Sequence, residues 1–497
     1  MKAAITIDPY RVIGPIDPLI YGQFLCRRRW VADEGLYDPA HPQADETGLR
    51  RAVVQYIAQS APPIIRWPGG CTGTSYDWRD GVGPQEERPR TIDVHFGYDV
   101  GNGFGTAEFA QFCRRIGAQP HINLSTGLGT LRDAVEWVEY CNSTTPSKFA
   151  NLRRRHGYEE PFNVRYWQIG NENYGPWEIG HHTPREYATL AREWGKTIKK
   201  LDRNLQVLAV GGSQRRADWD LAVLNEAWDQ IDYLTAHRYW NFNSEKGVDN
   251  YDAIAAVGHG EERTMQAIGG LIDLVARDKK SARKPKLAFT EWNCRDTSHA
   301  EMSRQWRPRR TQYRMVDALA AAGFLNAMQR QCRIVGLATV AQSVNVVGIL
   351  SVTPQAVVRE TVYWALAMQR HHSGPTAVDA HVECGGYSTT FDEQPLEAVP
   401  YLDVSASLNE EKKRLFVSIV NRHRHEEIAA RLRLRDAAPC STASLYRLWH
   451  ADPLARNTAE APEAIQPQES ILNNAGADFE IPLPPHSYSI LELALPN

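Results

Sequence analysis

Between about residues 19 and 371, short runs dense in β-branched and other apolar residues alternate with longer segments whose apolar positions recur every three or four residues. Unbroken apolar runs bounded by turn formers read as strands buried on both faces, and the longer segments read as helices with one buried stripe. The strand candidates are 19–24, 64–67, 120–124, 164–170, 206–211, 231–237, 286–290 and 335–341. Helical candidates include 106–116, 131–140, 184–201, 264–276, 312–330 and 356–370. Strands separated by helices are joined by crossovers and therefore run parallel. Eight of them predict an α/β fold, a (β/α)₈ TIM barrel, although an open doubly wound sheet carries the same alternation. Beyond His372 the period changes to two over 398–404, 414–420, 429–434 and 487–493, which predicts a C-terminal antiparallel β-sandwich. The stretch 455–477, rich in Ala, Pro, Glu and Asn, is expected to be a surface excursion without a site.

Composition narrows the class. With 497 residues, 42% hydrophobic and 23% charged, the chain has the balance of a globular protein and not of a disordered one. Its 56 basic and 59 acidic residues leave a formal charge of −3, so no overall field favours nucleic acid or an anionic membrane. Residues 1–10 hold a single Lys and no apolar core, and no run of about 18 apolar residues spans a bilayer. A cytoplasmic protein with a small neutral partner is the expectation. The eight cysteines form no CxxC pair, so free thiols are expected. His181-His182 and His371-His372 have no carboxylate at ligand spacing, and no metal site is expected. Arg27-Arg28-Arg29 reads as a solvated or carboxylate-paired face.

In a closed barrel, polar residues just past the strands converge on one mouth. Glu172 follows the fourth strand candidate in Tyr166-Trp167-Gln168-Ile169-Gly170-Asn171-Glu172-Asn173, and Glu291 follows the seventh in Phe289-Thr290-Glu291-Trp292-Asn293. Two such carboxylates can divide the work of glycoside cleavage, one protonated and donating to the leaving oxygen, the other ionised and attacking the anomeric centre. Asn171 is placed to donate to a neighbouring sugar hydroxyl, and Trp167, Trp177, Tyr239 and Trp292 offer flat faces to a sugar ring. A single Glu ending a strand is more often a helix N-terminal residue complementing the dipole, and any one of the Trp residues is better explained by core packing.

Further motifs resemble glycoside hydrolase family fifty-one, best known for α-L-arabinofuranosidases. They are Arg66-Trp67-Pro68-Gly69-Gly70, Tyr76-Asp77-Trp78, Asp80-Gly81-Val82-Gly83-Pro84, Gly170-Asn171-Glu172, Gly175-Pro176-Trp177, Glu291-Trp292-Asn293, Ala341-Gln342 and Asp403-Val404-Ser405, all in the family's order along essentially the whole chain. The resemblance implies a catalytic barrel over 15–372 and a β-sandwich formed from 1–14 plus 373–497, to which the N-terminal strand returns. It implies a retaining mechanism with Glu172 as acid/base and Glu291 as nucleophile. Arg66 would support the nucleophile, while Asn171, Tyr239 and Gln342 would line the sugar pocket. It also implies no cofactor, a small carbohydrate substrate and a homo-oligomer, often a hexamer.

The chain departs from the family where the sugar is held. Cys26 stands where a Glu is usual, Cys71 where an Asn is usual, and Arg295 and Phe96 where Trp residues are common. Exchanging a carboxylate acceptor for a thiol changes which hydroxyls are satisfied, and such mismatches discriminate by orders of magnitude. The reaction type therefore transfers better than the substrate. The expected activity is removal of terminal α-L-arabinofuranosyl units from oligosaccharides. The rivals are another glycosidase (galactofuranosidase, xylosidase or endoglucanase) and a non-catalytic sugar-binding protein.

Overall fold

The computed structural model describes residues 1–213, 216–242, 250–296 and 313–495. Eight parallel strands close into a barrel in chain order: Gly22–Phe24, Ile64–Trp67, Gln119–Leu124, Tyr166–Ile169, Gln206–Val210, Tyr233–Phe242, Lys286–Asp296 and Val335–Ala341. Closure is made by the last strand on the first, through Thr339 opposite Gly22 and Ala341 opposite Phe24. The doubly wound alternative is thereby removed.

Each strand sorts its side chains by parity. Ile64, Tyr166, Leu208, Tyr233, Ala288 and Leu337 cluster inside the barrel at its base. Their neighbours Ile65, Trp167, Ala209, Leu234, Phe289 and Ala338 point outward into the helical layer. One inward step higher, the buried side chains turn polar: Arg66, His121, Gln168, Thr235, Thr290 and Thr339. A dry apolar plug thus carries a polar upper layer, which leads to the mouth.

The helices come from the expected segments, with shifted ends. The helix expected at 264–276 runs Val257–Asp278. Met315–Arg330 is the helix expected at 312–330, of which Gln312 lies outside the described residues. The helix expected at 356–370 is shorter, Thr361–His371, because Val357–Arg359 pairs as a strand with Leu350–Val352.

The second unit is the expected β-sandwich, its nine strands hydrogen-bonded in one continuous order whose two ends pack over a shared core. In order it contains Gln468–Leu472, Ala443–Leu448, Ser487–Ala494, Arg414–Asn421, Leu402–Asn409, Thr376–Glu383, Lys2–Pro15, Ile428–Leu434 and Asp478–Leu483. All its pairings are antiparallel except that of the N-terminal strand with Ile428–Leu434. Strands from both ends of the order, including Leu445 and Ile481, share one apolar core. Part of the expected surface excursion belongs to this sheet, since Gln468–Leu472 pairs with Ala443–Leu448, and Asn457 and Ile465 are fully buried. Met315–Arg330 is buried on nearly all sides because it lies between barrel and sheet, with Asn326 and Arg330 bonded to Asp403.

Candidate active site

The sixth and seventh strands continue past the barrel as a ladder. The seventh does not stop before Glu291, as expected, but runs to Asp296, because Asn293 and Arg295 still find partners in Tyr239 and Asn241. A register shift between Phe289 and Glu291 sets Glu291 opposite His237. From there, alternation sends Trp240 and Trp292 outward, where both rings pack on Phe324. His237, Tyr239 and Glu291 stay on the mouth side.

Glu291 is held at both oxygens. Arg66 Nη1 donates to Oε1 at 2.6 Å, and the Tyr239 hydroxyl donates to Oε2 at 2.6 Å. Arg66 is fully buried, and its Nη2 donates to Asn171 Oδ1 at 2.7 Å. One guanidinium therefore ties the second, fourth and seventh strands together. The approach to Gly70 is close: a Cβ there would lie 2.6 Å from Glu291 Oε1, so only glycine fits.

Glu172 stands on the turn leaving the fourth strand. Gly170 and Glu172 both have left-handed backbone, with φ of 82° and 43°, which lifts the carboxylate over the mouth. The Tyr174 hydroxyl donates to its Oε1 at 3.2 Å and Trp177 Nε1 to its Oε2 at 2.9 Å. His237 Nδ1 is 2.9 Å from Glu172 Oε1 and 3.9 Å from Glu291 Oε2, so one imidazole sits between the two acids. Their side chains are 17% and 10% exposed, reachable from outside yet largely dry, a setting in which charges interact strongly.

Burial alone would raise the Glu172 pKa, but the His237 imidazole and the Trp177 and Tyr174 donors outweigh it and hold the carboxyl down to about 2. Glu178 behaves oppositely. Burial and the charge of Glu172 push it up to about 7, against donation from Asn171 Nδ2 at 3.0 Å and Thr74 Oγ1 at 3.1 Å.

Of the remaining expected pocket residues, Cys26 Sγ meets Thr72 Oγ1 at 2.9 Å and its backbone N–H donates to Gln342 Oε1 at 3.3 Å. Cys71 Sγ lies within 4.8 Å of a Glu178 carboxylate oxygen. Phe96 lies under the Arg28 guanidinium at 4.1 Å, and the Arg295 guanidinium is 5.5 Å from the centre of the Tyr239 ring. Asn171 uses both its oxygen and its nitrogen within the protein.

Trp292 is a correction. It is fully buried in the helical layer with Trp240 and Phe324, because the residue after an inward Glu291 must face outward. Trp167, likewise buried, packs on Trp137. Trp177 is exposed and keeps a face open. The arginine cluster is a second correction: Arg27 and Arg28 are buried over Tyr76 and Phe96, and Arg29 pairs with Glu34. Four neighbours of the carboxylates were not anticipated: His237, Tyr174, Glu178 and His95. His237 was within reach of the pattern, since it stands two positions before Tyr239 on one strand and so shares its face. All eight cysteines are free, as expected. A cavity of about 260 Å³ beside the third strand, lined by Ser75, Asp77, Trp78 and Trp137, touches neither glutamate.

The chain is similar to known proteins over nearly its whole length. Residues 56–255 match the model of the alpha-L-arabinofuranosidase 1 domain, and residues 290–487 that of the alpha-L-arabinofuranosidase C-terminal domain. Alpha-L-arabinofuranosidase C of Emericella nidulans is 35% identical over 446 residues, 86% of each chain. The chain belongs to glycoside hydrolase family fifty-one, the α-L-arabinofuranosidases. An intracellular exo-alpha-(1->5)-L-arabinofuranosidase of Halalkalibacterium halodurans is 31% identical over 440 residues, again 86% of each chain. The crystal structure of the Thermotoga maritima α-L-arabinofuranosidase in complex with arabinose superposes with a TM-score of 0.90 at 34% identity, covering 99% of both chains. The family-fifty-one scaffold therefore extends over the barrel and the sheet alike.

Proposed function

We propose that this chain is a retaining, exo-acting α-L-arabinofuranosidase that hydrolyses terminal non-reducing furanosyl residues of oligosaccharides, with Glu291 as nucleophile and Glu172 as acid/base. The spacing of the two acids carries the reading. His237 Nδ1 is 2.9 Å from one carboxylate and 3.9 Å from the other, so the facing oxygens are no farther apart than those two lengths end to end. That ceiling falls at the lower edge of the ~6.5–9.5 Å an inverting pair needs to seat water, and suits the ~5–5.5 Å of direct attack.

In the first step a Glu291 oxygen bonds the anomeric carbon while the glycosidic C–O bond breaks and the departing oxygen takes a proton from Glu172. Arg66 and Tyr239 fix the Glu291 oxygens before attack, so little reorganisation is left to the transition state. Glu172 is held ionised at rest, so it takes up a proton from solvent as substrate binds and hands that proton to the departing oxygen. Water then cleaves the glycosyl–enzyme ester, with Glu172 accepting its proton.

The Halalkalibacterium relative's name supports an exo-acting, cytoplasmic enzyme. Among the described residues no helix is long and apolar enough to cross a membrane. Assembly as a homo-oligomer, a hexamer by family resemblance, belongs to the same proposal, with no cofactor. A second reading, another glycosidase on this scaffold, is favoured by Cys26, Cys71, Glu178 and Arg295 around the pocket.

Time-resolved proton NMR on an aryl α-L-arabinofuranoside should show the released sugar first in its original anomeric form, and Glu172→Ala should lower kcat by about 10²–10⁴ on substrates with poor leaving groups. Inverted product, or unchanged turnover in Glu172→Ala, would overturn the mechanism. Preference for a pyranoside or galactofuranoside in a substrate panel would transfer the substrate assignment to the second reading.

A further inference from the structure

Three side chains beside the acid/base belong to the residue types that bind metals. Cys71 lies in the loop after the second strand, His95 in the excursion between Thr91–Ile92 and Asp99–Val100, and Glu178 in the loop after the fourth strand. Their ligand atoms all lie within 4.8 Å of one another. We infer that Cys71, His95 and Glu178 form a site for a borderline-soft divalent cation, Zn²⁺ in particular, at the rim of the sugar pocket.

The donor set selects the ion. One sulfur, one imidazole nitrogen and one carboxylate oxygen suit zinc, whereas calcium and magnesium demand oxygen alone. Three protein ligands leave the fourth tetrahedral position open to water or to a sugar hydroxyl. At zinc bond lengths of about 2.0–2.3 Å, tetrahedral donors stand roughly 3.5 Å apart, so the side chains need to close by about an ångström. Cys71 and His95, the two ligands that would move, are only half-buried.

The surroundings favour a cation. Glu172 and Glu291 lie near enough for their charges to act on Cys71, and the buried guanidinium of Arg66 answers only one of the two. The most buried ligand is already oriented: Asn171 Nδ2 donates to one Glu178 oxygen and Thr74 Oγ1 to the other, as outer partners of metal-bound carboxylates do. As the S–Zn bond forms, the thiol proton leaves to solvent.

The test uses the full chain with Co²⁺ as a spectroscopic stand-in for zinc, read by absorption and by calorimetry, so it requires no turnover and is independent of the proposed hydrolysis. The native protein should bind one ion per chain with a thiolate-to-cobalt charge-transfer band. Cys71→Ser should abolish the band, while His95→Gln and Glu178→Gln should each weaken binding at least about tenfold, the loss that even an outer partner causes. Cys440→Ser, which removes the exposed thiol, should change neither reading. Absence of stoichiometric binding by the native chain, a band that survives Cys71→Ser, or affinity unmoved by both His95→Gln and Glu178→Gln would overturn the assignment.

Discussion

His237 shows how much one residue's surroundings decide. Its Nδ1 faces Glu172, its Nε2 lies 3.1 Å from Thr290 Oγ1, and Glu291 is just beyond. For Glu172, burial pushes the pKa upward and the imidazole pulls it down further. Replacing His237 by Gln removes the imidazole that pulls Glu172 down, so the Glu172 carboxyl should titrate higher than in the native protein. Carbon-13 NMR of glutamate-labelled protein reads this directly, and an unchanged titration would show that the imidazole does not set the acid. The sequence named both acids because each follows an apolar strand, but it could not name what surrounds them. Tyr174, Glu178 and His95 stand on loops, where no periodicity tells which way a side chain points.

At the level of elements, period two along a strand is a stronger guide than residue type. Trp292 is aromatic and adjacent to an active carboxylate, and both features suggested a sugar platform. The register puts it on the opposite face, against Phe324 at 5.2 Å between ring centres. Trp292→Ala should accordingly act as a core deletion, costing about 3–5 kcal/mol in denaturant unfolding. KM for an arabinofuranoside should change little at temperatures where the variant stays folded, and a large rise in KM without loss of stability would return Trp292 to the pocket. The same logic explains the long seventh strand. An apolar run signals a strand, and the unbroken apolar run ended at Thr290, but the backbone ladder continued because the sixth strand was there to pair with it. At 356–370, the segment's apolar residues could not distinguish the short hairpin strand from the first turn of a helix.

At the scale of the molecule, barrel and sheet are joined through a buried carboxylate. Asp403 accepts from Asn326 Nδ2 at 2.8 Å, from Arg330 Nη1 at 3.0 Å, and from Arg422, which also donates to the Ala255 carbonyl at 2.9 Å. Burial would raise the Asp403 pKa, but the two guanidinium groups outweigh it and hold it well below the usual carboxylate range. A depressed folded-state pKa contributes stability that is fully present above the ordinary value of 3.8 and is lost as pH falls below it. Thermal unfolding followed from pH 7 downward should therefore show a falling Tm below about pH 4, more gently in Asp403→Asn. At neutral pH that variant should already be about 3–5 kcal/mol less stable, because it leaves the buried Arg422 without its carboxylate and Arg330 with Glu262 alone. A neutral-pH stability equal to that of the native chain would mean the junction holds without the charge.

The sequence alone determined the alternation of strand and helix, the number of barrel strands, the change to period two after His372 and the two glutamates at strand ends. Each of these is a local pattern, set by which face of an element must leave water. The tertiary structure alone decided what lies opposite what. Closure of the barrel brought Arg66 against Glu291, the paired sixth and seventh strands set His237 between the acids, and three separate loops brought Cys71, His95 and Glu178 together. Those contacts depend on register and loop path, which follow from the packing of the whole chain and leave no period in the sequence to read.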